Sequence, residues 1–289
     1  MEPLKLVLLL KDFFVPIRLA KLLSSRYVRN LVSGVVTGIL LAFVSSIISP
    51  LALADDFCCF DTAECANKSL SSSTDCLNSR DYQVTSHEGT NSNVTVLSFH
   101  GGKIEPHTSE ISSKLAEIYG WNRYDLNGDG TRACLGEKTN FARLHITSTN
   151  FDDPKALNLV RAHPKSVAIH GYRRRDYEKG TICVGGGNGS QVAKFIKYVN
   201  QHKVDLLLSN TGYQLTPVNA TNRSKREEVC GKLQGTDPEN IVNKNSRSMG
   251  GLQLELSPEM RRDLAKVDEA QFNDLRDVIY GAVAEAMVD

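Results

Sequence analysis

The sequence has no charge excess of either sign. Lys and Arg number 34 and Asp and Glu 33, a formal net charge of +1 over 289 residues, so nothing global draws the chain to nucleic acid. Internal repeats and long low-complexity runs are absent, which excludes solenoids, propellers and fibrous chains. No cysteine precedes residue 55. The crowded group of Cys58, Cys59, Cys65 and Cys76 lacks the paired spacing of structural zinc sites. One further lack is local: no charged residue stands between Leu31 and Ala54.

That uncharged run follows a basic head. Of the 34 basic and 33 acidic residues, Lys5, Lys11, Arg18, Lys21, Arg26 and Arg29 stand in residues 1–54 against only Glu2 and Asp12, leaving a mildly acidic body with 28 and 31. Gly34–Ile48 is an apolar core, followed by Pro50 and Ala52-Leu53-Ala54. Basic flank, apolar core and small-x-small exit are the parts of a secretory signal. The alternative is an uncleaved membrane anchor, since the run is long enough to span a bilayer. All seven cysteines (58, 59, 65, 76, 134, 183 and 230) would then lie in an exported body, where disulfides are expected. The odd number leaves at least one thiol free or paired between chains.

Residues 67–93 are rich in Ser, Thr, Asn and Asp and predict loop or linker. Beyond them, strand-like and helix-like segments alternate. Strands are expected at Val94–Phe99, Leu144–Ser148, Ser166–Ile169, Val204–Leu208 and Leu252–Leu256. Helices are expected at Thr108–Tyr119, Pro154–Ala162 (capped by Asp152-Asp153), Gln191–His202, Pro258–Leu264 and Glu269–Met287. Short apolar strands separated by helices predict an α/β domain with a mostly buried sheet flanked by helices.

Two histidines carry the chemistry. His100 and His170 each end a predicted strand and each precedes glycine, and ligand sites in α/β sheets form at the carboxyl ends of strands. Glu105 follows in a loop stiffened by Pro106. Two imidazoles and a carboxylate leave a tetrahedral zinc one open position. Glu255 lies inside the apolar strand Leu252–Leu256, where a carboxylate is costly unless paired or bound; it could serve as a general base. The plain alternatives are hydrogen-bonded structural histidines and an edge-strand glutamate facing solvent.

A resemblance bears on this choice. His100–Ile111 (HGGKIEPHTSEI) resembles a signature of the poly-γ-glutamate hydrolase family. Leu144–Ser148 with Phe151–Pro154, Val167–Gly171, Gly235–Asn243 and Gly250–Ser257 are similar to four further blocks, in family order. Together they cover roughly residues 94–287. The resemblance implies a zinc carboxypeptidase-like fold with a mixed sheet and one Zn2+, held by His100, Glu105 and His170, and Glu255 as the base. It also implies hydrolysis of γ-glutamyl amide bonds in poly-γ-glutamate. Arg173, Arg174 and Arg175 follow the third block, and Arg261 matches a basic position after the last. Arg173, Arg174 and Arg261 are candidates for a substrate carboxylate, which Arg binds bidentately; a solvated loop is the alternative for the triplet. His145 is expected either to face substrate or to pack in the core.

The expected organisation is a signal peptide or anchor at 1–54, a Cys-rich extension and linker at 55–93, and a zinc hydrolase domain at 94–289. The domain departs from the family at His107, where glycine is common, and in an insertion-like stretch, Tyr119–Lys138. There Asp125–Gly130 (DLNGDG) imitates the start of a calcium loop, but Gly136 stands where that motif needs Glu, so a turn-rich loop is expected. Two other functions remain open at this point. One is a metallo-amidase acting on small acyl-glutamates or cell-wall peptides. The other is a non-catalytic binding module, against which stands the presence of all four candidate ligand and base residues. The partner implied is a polymeric anion, and the place is outside the cytoplasm, secreted or membrane-anchored.

Overall fold

A computed structural model describes residues 81–289 except residue 92 and residues 131–132, 135–137, 174–178, 209–210 and 223–228; the side chains of 131–139 and 204–210 are not described either. The basic head, the cysteines at 58–76 and Arg174 lie outside the described residues.

Seven strands form a mixed sheet in the order β1-β3-β2-β6-β9-β7-β8. They are β1 (Tyr82–His87), β2 (Val94–Gly102), β3 (Asn122–Gly128), β6 (Lys165–Gly171), β7 (Thr181–Gly185), β8 (Thr216–Asn219) and β9 (Leu252–Leu256). A separate two-residue pair joins β4 (Ala133–Cys134) to β5 (Lys138–Thr139). The central strands β3, β2, β6 and β9 run parallel, and β1 and β7 pair antiparallel with β3 and β9. This is the mostly buried, flanked sheet that the alternation predicts, and it is mixed, as the resemblance implies.

The central strands are buried on both faces, so their sequences are nearly continuous apolar runs rather than alternating ones. On one face Val94, Val96, Val167, Ile169, Leu252, Leu254 and Leu256 pack with α1 (Thr108–Tyr119), α4 (Gly189–Leu208), α5 (Pro258–Ala265) and α6 (Asn273–Ala286). On the other, Leu97, Phe99, Tyr124 and Leu126 pack with α2 (Phe141–Leu144), α3 (Pro154–Ala162) and the 3-10 turn Ile241–Asn243. Each such buried side chain contributes about 1.5–3 kcal/mol. Helix starts follow local chemistry. Asp153 accepts the backbone N–H groups of Lys155 and Ala156, and Ser257 accepts that of Met260, which satisfies donors the first turn leaves open.

Four expectations are corrected. Val204–Leu208 is not a strand but the last part of α4; a short apolar run looks the same in either state. Leu144–Ser148 is not a strand: Leu144 ends α2 and the chain then turns. Tyr82–His87, expected as linker, is an edge strand of the sheet. The DLNGDG stretch is not a free loop, because Asp125–Gly128 lies in β3 between β1 and β2. The buried Asp125 carboxylate is instead bonded by Ser112 Oγ and paired with Arg123 Nε at 2.9 Å. Burial pushes this carboxyl up to about 7.

No helix among the described residues is long and apolar enough to cross a membrane.

Candidate metal and hydrolytic site

Three adjacent parallel strands, β2, β6 and β9, deliver His100, His170 and Glu255 toward their carboxyl ends, with His170 directly opposite Glu255 in register. The chain then brings Glu105 back to His100. Gly102 takes φ +69°, a conformation that favours glycine. The Glu105 backbone N–H donates to the His100 carbonyl at 2.7 Å. A Cβ at Gly101 would lie 2.5 Å from Asn127 Oδ1, so both glycines of this turn are required by space or conformation. The helix that follows starts on His107, whose φ is +76°. The backbone here is left-handed, so His107 bears a cost that glycine would avoid.

Glu105 is the hub. Its Oε1 lies 3.0 Å from His100 Nδ1 and 3.1 Å from His145 Nε2. Its Oε2 accepts the Gly171 backbone N–H at 2.8 Å and lies 3.4 Å from His170 Nδ1. Suitable ligand atoms of His100, Glu105 and His145 all fall within 4.8 Å of one another. His170 joins this group on the other carboxylate oxygen, and its Nε2 is buried with no partner among the described residues. The structure thus brings all three expected metal residues together and adds His145, which sits just past α2 with its ring stacked on Phe141.

The donor set fits a cation. His100 Nε2 lies 2.7 Å from the Ile146 carbonyl and Nδ1 lies 3.0 Å from a carboxylate oxygen. Both neighbours are acceptors, and a neutral imidazole has only one N–H. Burial lowers the His100 pKa to about 4, against the pull of Glu105, so a second proton is disfavoured near neutrality. Burial alone would raise Glu105, but His100 and the other imidazoles hold it well below the carboxylate range. A neutral imidazole thus turns a lone pair toward an ionised carboxylate, an arrangement that a metal ion between them resolves. The set of imidazole nitrogens and one carboxylate oxygen suits zinc.

Glu255 is 5% exposed. Burial pushes its carboxyl up to about 7, with His170 opposing and Glu105 reinforcing the rise. Its Oε1 accepts Gln253 Nε2 at 3.0 Å, and Gln253 Oε1 accepts Asn240 Nδ2 at 2.8 Å. Gln253 and Asn240 were missed in the sequence. The signal for Gln253 was available: residues i and i+2 of a strand share a face, so it stands beside Glu255. Asn240 comes from a distant turn and left no such trace.

Arg261 is buried, and its Nε and Nη1 have no hydrogen-bond partner among the described residues. Its guanidinium fills the space beside Gly171, where a Cβ would lie 0.9 Å from Nη1. Burial lowers its pKa, while Glu105 and Glu255 support its charge. It sits behind the site as a compensating cation rather than in the cavity wall.

The cavity over these groups holds about 510 Å³. His100, Glu105, His145, His170 and Glu255 form its floor, and Arg173 and Lys232 are among its lining residues. Both cations are exposed and carry no ion pair among the described residues. Lys232 was also missed; it follows Cys230, which a disulfide joins to Cys183 of β7.

The family model of poly-gamma-glutamate hydrolases matches residues 68–280. The chain is 35% identical over 171 residues to the SPbeta prophage-derived UPF0714 protein YoqZ of Bacillus subtilis (strain 168), covering 59% of this chain and 51% of the relative. It is 30% identical over 185 residues to UPF0714 protein YndL of the same strain, covering 64% and 60%. The chain therefore spans roughly half to three-fifths of the length of these relatives. A bacteriophage poly-gamma-glutamate hydrolase structure superposes with a TM-score of 0.54 at 27% identity, over 71% of this chain and 89% of that one. The zinc-free apo form of YndL superposes with a TM-score of 0.55 at 26% identity, over 73% and 93%.

Proposed function

The chain belongs to the poly-gamma-glutamate hydrolase family, and from that membership we propose that it is a zinc-dependent hydrolase of γ-glutamyl amide bonds in poly-γ-glutamate. The observation that carries the reading is the Glu105 hub, a buried carboxylate met by three imidazoles beside the separate buried carboxylate Glu255. The zinc-free form of the YndL structure, which the fold matches, supports zinc as the metal.

His100 Nδ1 and Glu105 Oε1 would be the first two ligands. His145 Nε2 points to the same oxygen, whereas His170 Nδ1 points to Oε2, which the Gly171 N–H already occupies. On this arrangement His145 would be the third ligand, with His170 lying beside Glu255. The assignment implied by the sequence, with His170 as third ligand, is the second reading; alanine at each position with zinc analysis separates them.

When bound, zinc supplies a Lewis acid that polarises a carbonyl and acidifies water. Glu255 takes a proton from the water attacking the amide carbonyl and delivers it to the leaving amine. Its raised pKa suits both transfers, since such a carboxylate accepts and returns a proton near neutrality. Arg261 adds a buried positive charge near Glu105 and Glu255, and both carboxylates in turn support its charge. Arg173 and Lys232 meet the free carboxylates that flank each γ-linked bond, with Arg174 in the adjoining segment as a further candidate. Arg173 and Lys232, without ion pairs among the described residues, favour a polyanion over small acyl-glutamates or wall peptides, and the complete ligand and base set argues against a non-catalytic binding module.

We further propose export, secreted or membrane-anchored through residues 1–54. A polymer too large to enter a cell is cut outside it, and the Cys183–Cys230 disulfide accords with an oxidising compartment.

The test is depolymerisation of poly-γ-glutamate, followed by size-exclusion chromatography, for the natural chain and Glu255→Gln. The variant should keep its zinc and lose on the order of 10²–10⁴ in rate. Unchanged cleavage by Glu255→Gln would remove Glu255 from the chemistry.

A further inference from the structure

Glu255 does not sit alone in its strand. Its Oε1 ends a chain of three hydrogen bonds that starts on the backbone. The Val242 N–H donates to Asn240 Oδ1 at 3.1 Å, Asn240 Nδ2 donates to Gln253 Oε1 at 2.8 Å, and Gln253 Nε2 donates to Glu255 Oε1 at 3.0 Å. All three side chains are buried, at 3%, 5% and 5% exposure.

The direction of this chain is fixed by its first member. A backbone N–H can only donate, so the amide oxygen of Asn240 must face Val242 and its nitrogen must face Gln253. Gln253 must then present oxygen to Asn240 and nitrogen to Glu255. The last member therefore receives a donated hydrogen and has to be an acceptor there. We propose that Asn240 and Gln253 are positioning residues: a directional relay, anchored on the Val242 N–H, that fixes the Glu255 side chain through Oε1 and leaves Oε2 for the attacking water. The proposal rests on the reading of Glu255 as the base.

The anchor is itself held rigidly. Asn243, at the end of the same 3-10 turn, accepts the Gly187 and Gly251 N–H groups at 2.9 and 3.0 Å and donates to the Gly235 and Asp237 carbonyls at 2.8 and 2.7 Å. Gly235 has φ +61°, and a Cβ there would come within 2.5 Å of Gln253 Oε1. The glycine keeps the cavity wall close to the relay without displacing its amide. The Gly235–Asn243 segment thus acts on the reaction without touching the metal group.

The relay makes a distinctive prediction for Asn240→Asp. The new carboxylate still accepts from Val242 but has no hydrogen to give Gln253. Gln253 then turns its amide over, donating to residue 240 and presenting oxygen to Glu255. Two acceptors meet, and their repulsion turns the Glu255 side chain out of the position the relay gives it. Asn240→Asp should therefore lower kcat about 10- to 100-fold, the scale of a reversed hydrogen bond to a charged group, with KM and bound zinc unchanged. Gln253→Met, which keeps length and burial but cannot donate, should lower kcat similarly. In that background Asn240→Asp should add nothing, because the link is already cut.

Natural kcat in Gln253→Met, or the same loss from Asn240→Asp with and without Gln253, would overturn the relay. Glu255→Gln measured alongside separates the two readings. Full activity there defeats the assignment of the base, whereas an inactive Glu255→Gln with fully active Asn240→Asp and Gln253→Met defeats the relay alone.

Discussion

Adding one methyl group at Gly171 tests how tightly the site depends on its buried cation. Gly171 ends β6, its N–H holds Glu105 Oε2, and Arg261 lies across it. In Gly171→Ala the new Cβ would fall 0.9 Å from Nη1, 2.1 Å from Cζ and 2.8 Å from Nε of Arg261. No small adjustment accommodates that; the guanidinium has to leave. Overpacking of this kind costs about 1–3 kcal/mol, a fall in Tm of roughly 2–12 °C for a domain of this size. Eviction also removes positive charge from beside Glu105 and Glu255, so activity should fall with stability. Thermal melts by circular dichroism, with rates on poly-γ-glutamate, read both. The decisive comparison is with Arg261→Ala, which empties the space the methyl needs. In that background Gly171→Ala should cost under about 0.5 kcal/mol, because the clash is gone. Equal cost in both backgrounds, or a Gly171→Ala variant that melts and works like the natural protein, would refute this account of Arg261.

Three further outcomes are expected. His107→Gly should raise stability by up to about 1 kcal/mol in a denaturant titration, since glycine occupies φ +76° without the left-handed penalty but loses some of that gain to unfolded-state entropy; a loss would mean that the 3.6 Å His107–Glu110 pair outweighs the strain. Reducing Cys183–Cys230 opens a link across a sequence separation of 47, worth about 4 kcal/mol by loop-closure entropy, and should lower Tm and loosen the wall that carries Lys232; an unchanged melt under reductant contradicts this. The rate should climb as pH rises through the region of Glu255, whose pKa is about 7, because a base acts when deprotonated. A bound dication moves that limb lower, so activity that falls as pH rises from 5 to 7 contradicts the assignment.

Much of the site was legible because its residues obey strand rules. His100 and His170 stand where apolar strands run out, and Glu255 interrupts one, and such positions stand out against a buried parallel sheet. The edges were harder. Tyr82–His87 turns only Tyr82 and Val84 to the core and is otherwise polar, as a border strand paired with β3 alone can be, so its alternation is too short to stand out. Asp125 mimics a calcium ligand in sequence, yet its partners, Ser112 and Arg123, come from α1 and its own strand. His145 follows a four-residue helix rather than a strand, and only the fold of the turn brings it to Glu105. Lys232 and Asn240 depend on a long connection returning to the sheet, and contacts of that range leave no local pattern.

The central claim is that the buried histidine–glutamate group holds a zinc ion needed to cut γ-glutamyl bonds. One measurement addresses it most directly: metal content and chain-cleavage rate of the purified protein on poly-γ-glutamate and on α-linked polyglutamate, before chelation, after it, and after zinc is restored. The account predicts one zinc per chain, cleavage of the γ-linked polymer only, loss of both with the chelator, and recovery with zinc. Cleavage that persists in the metal-free protein, or a zinc-loaded protein that leaves poly-γ-glutamate intact, would contradict it.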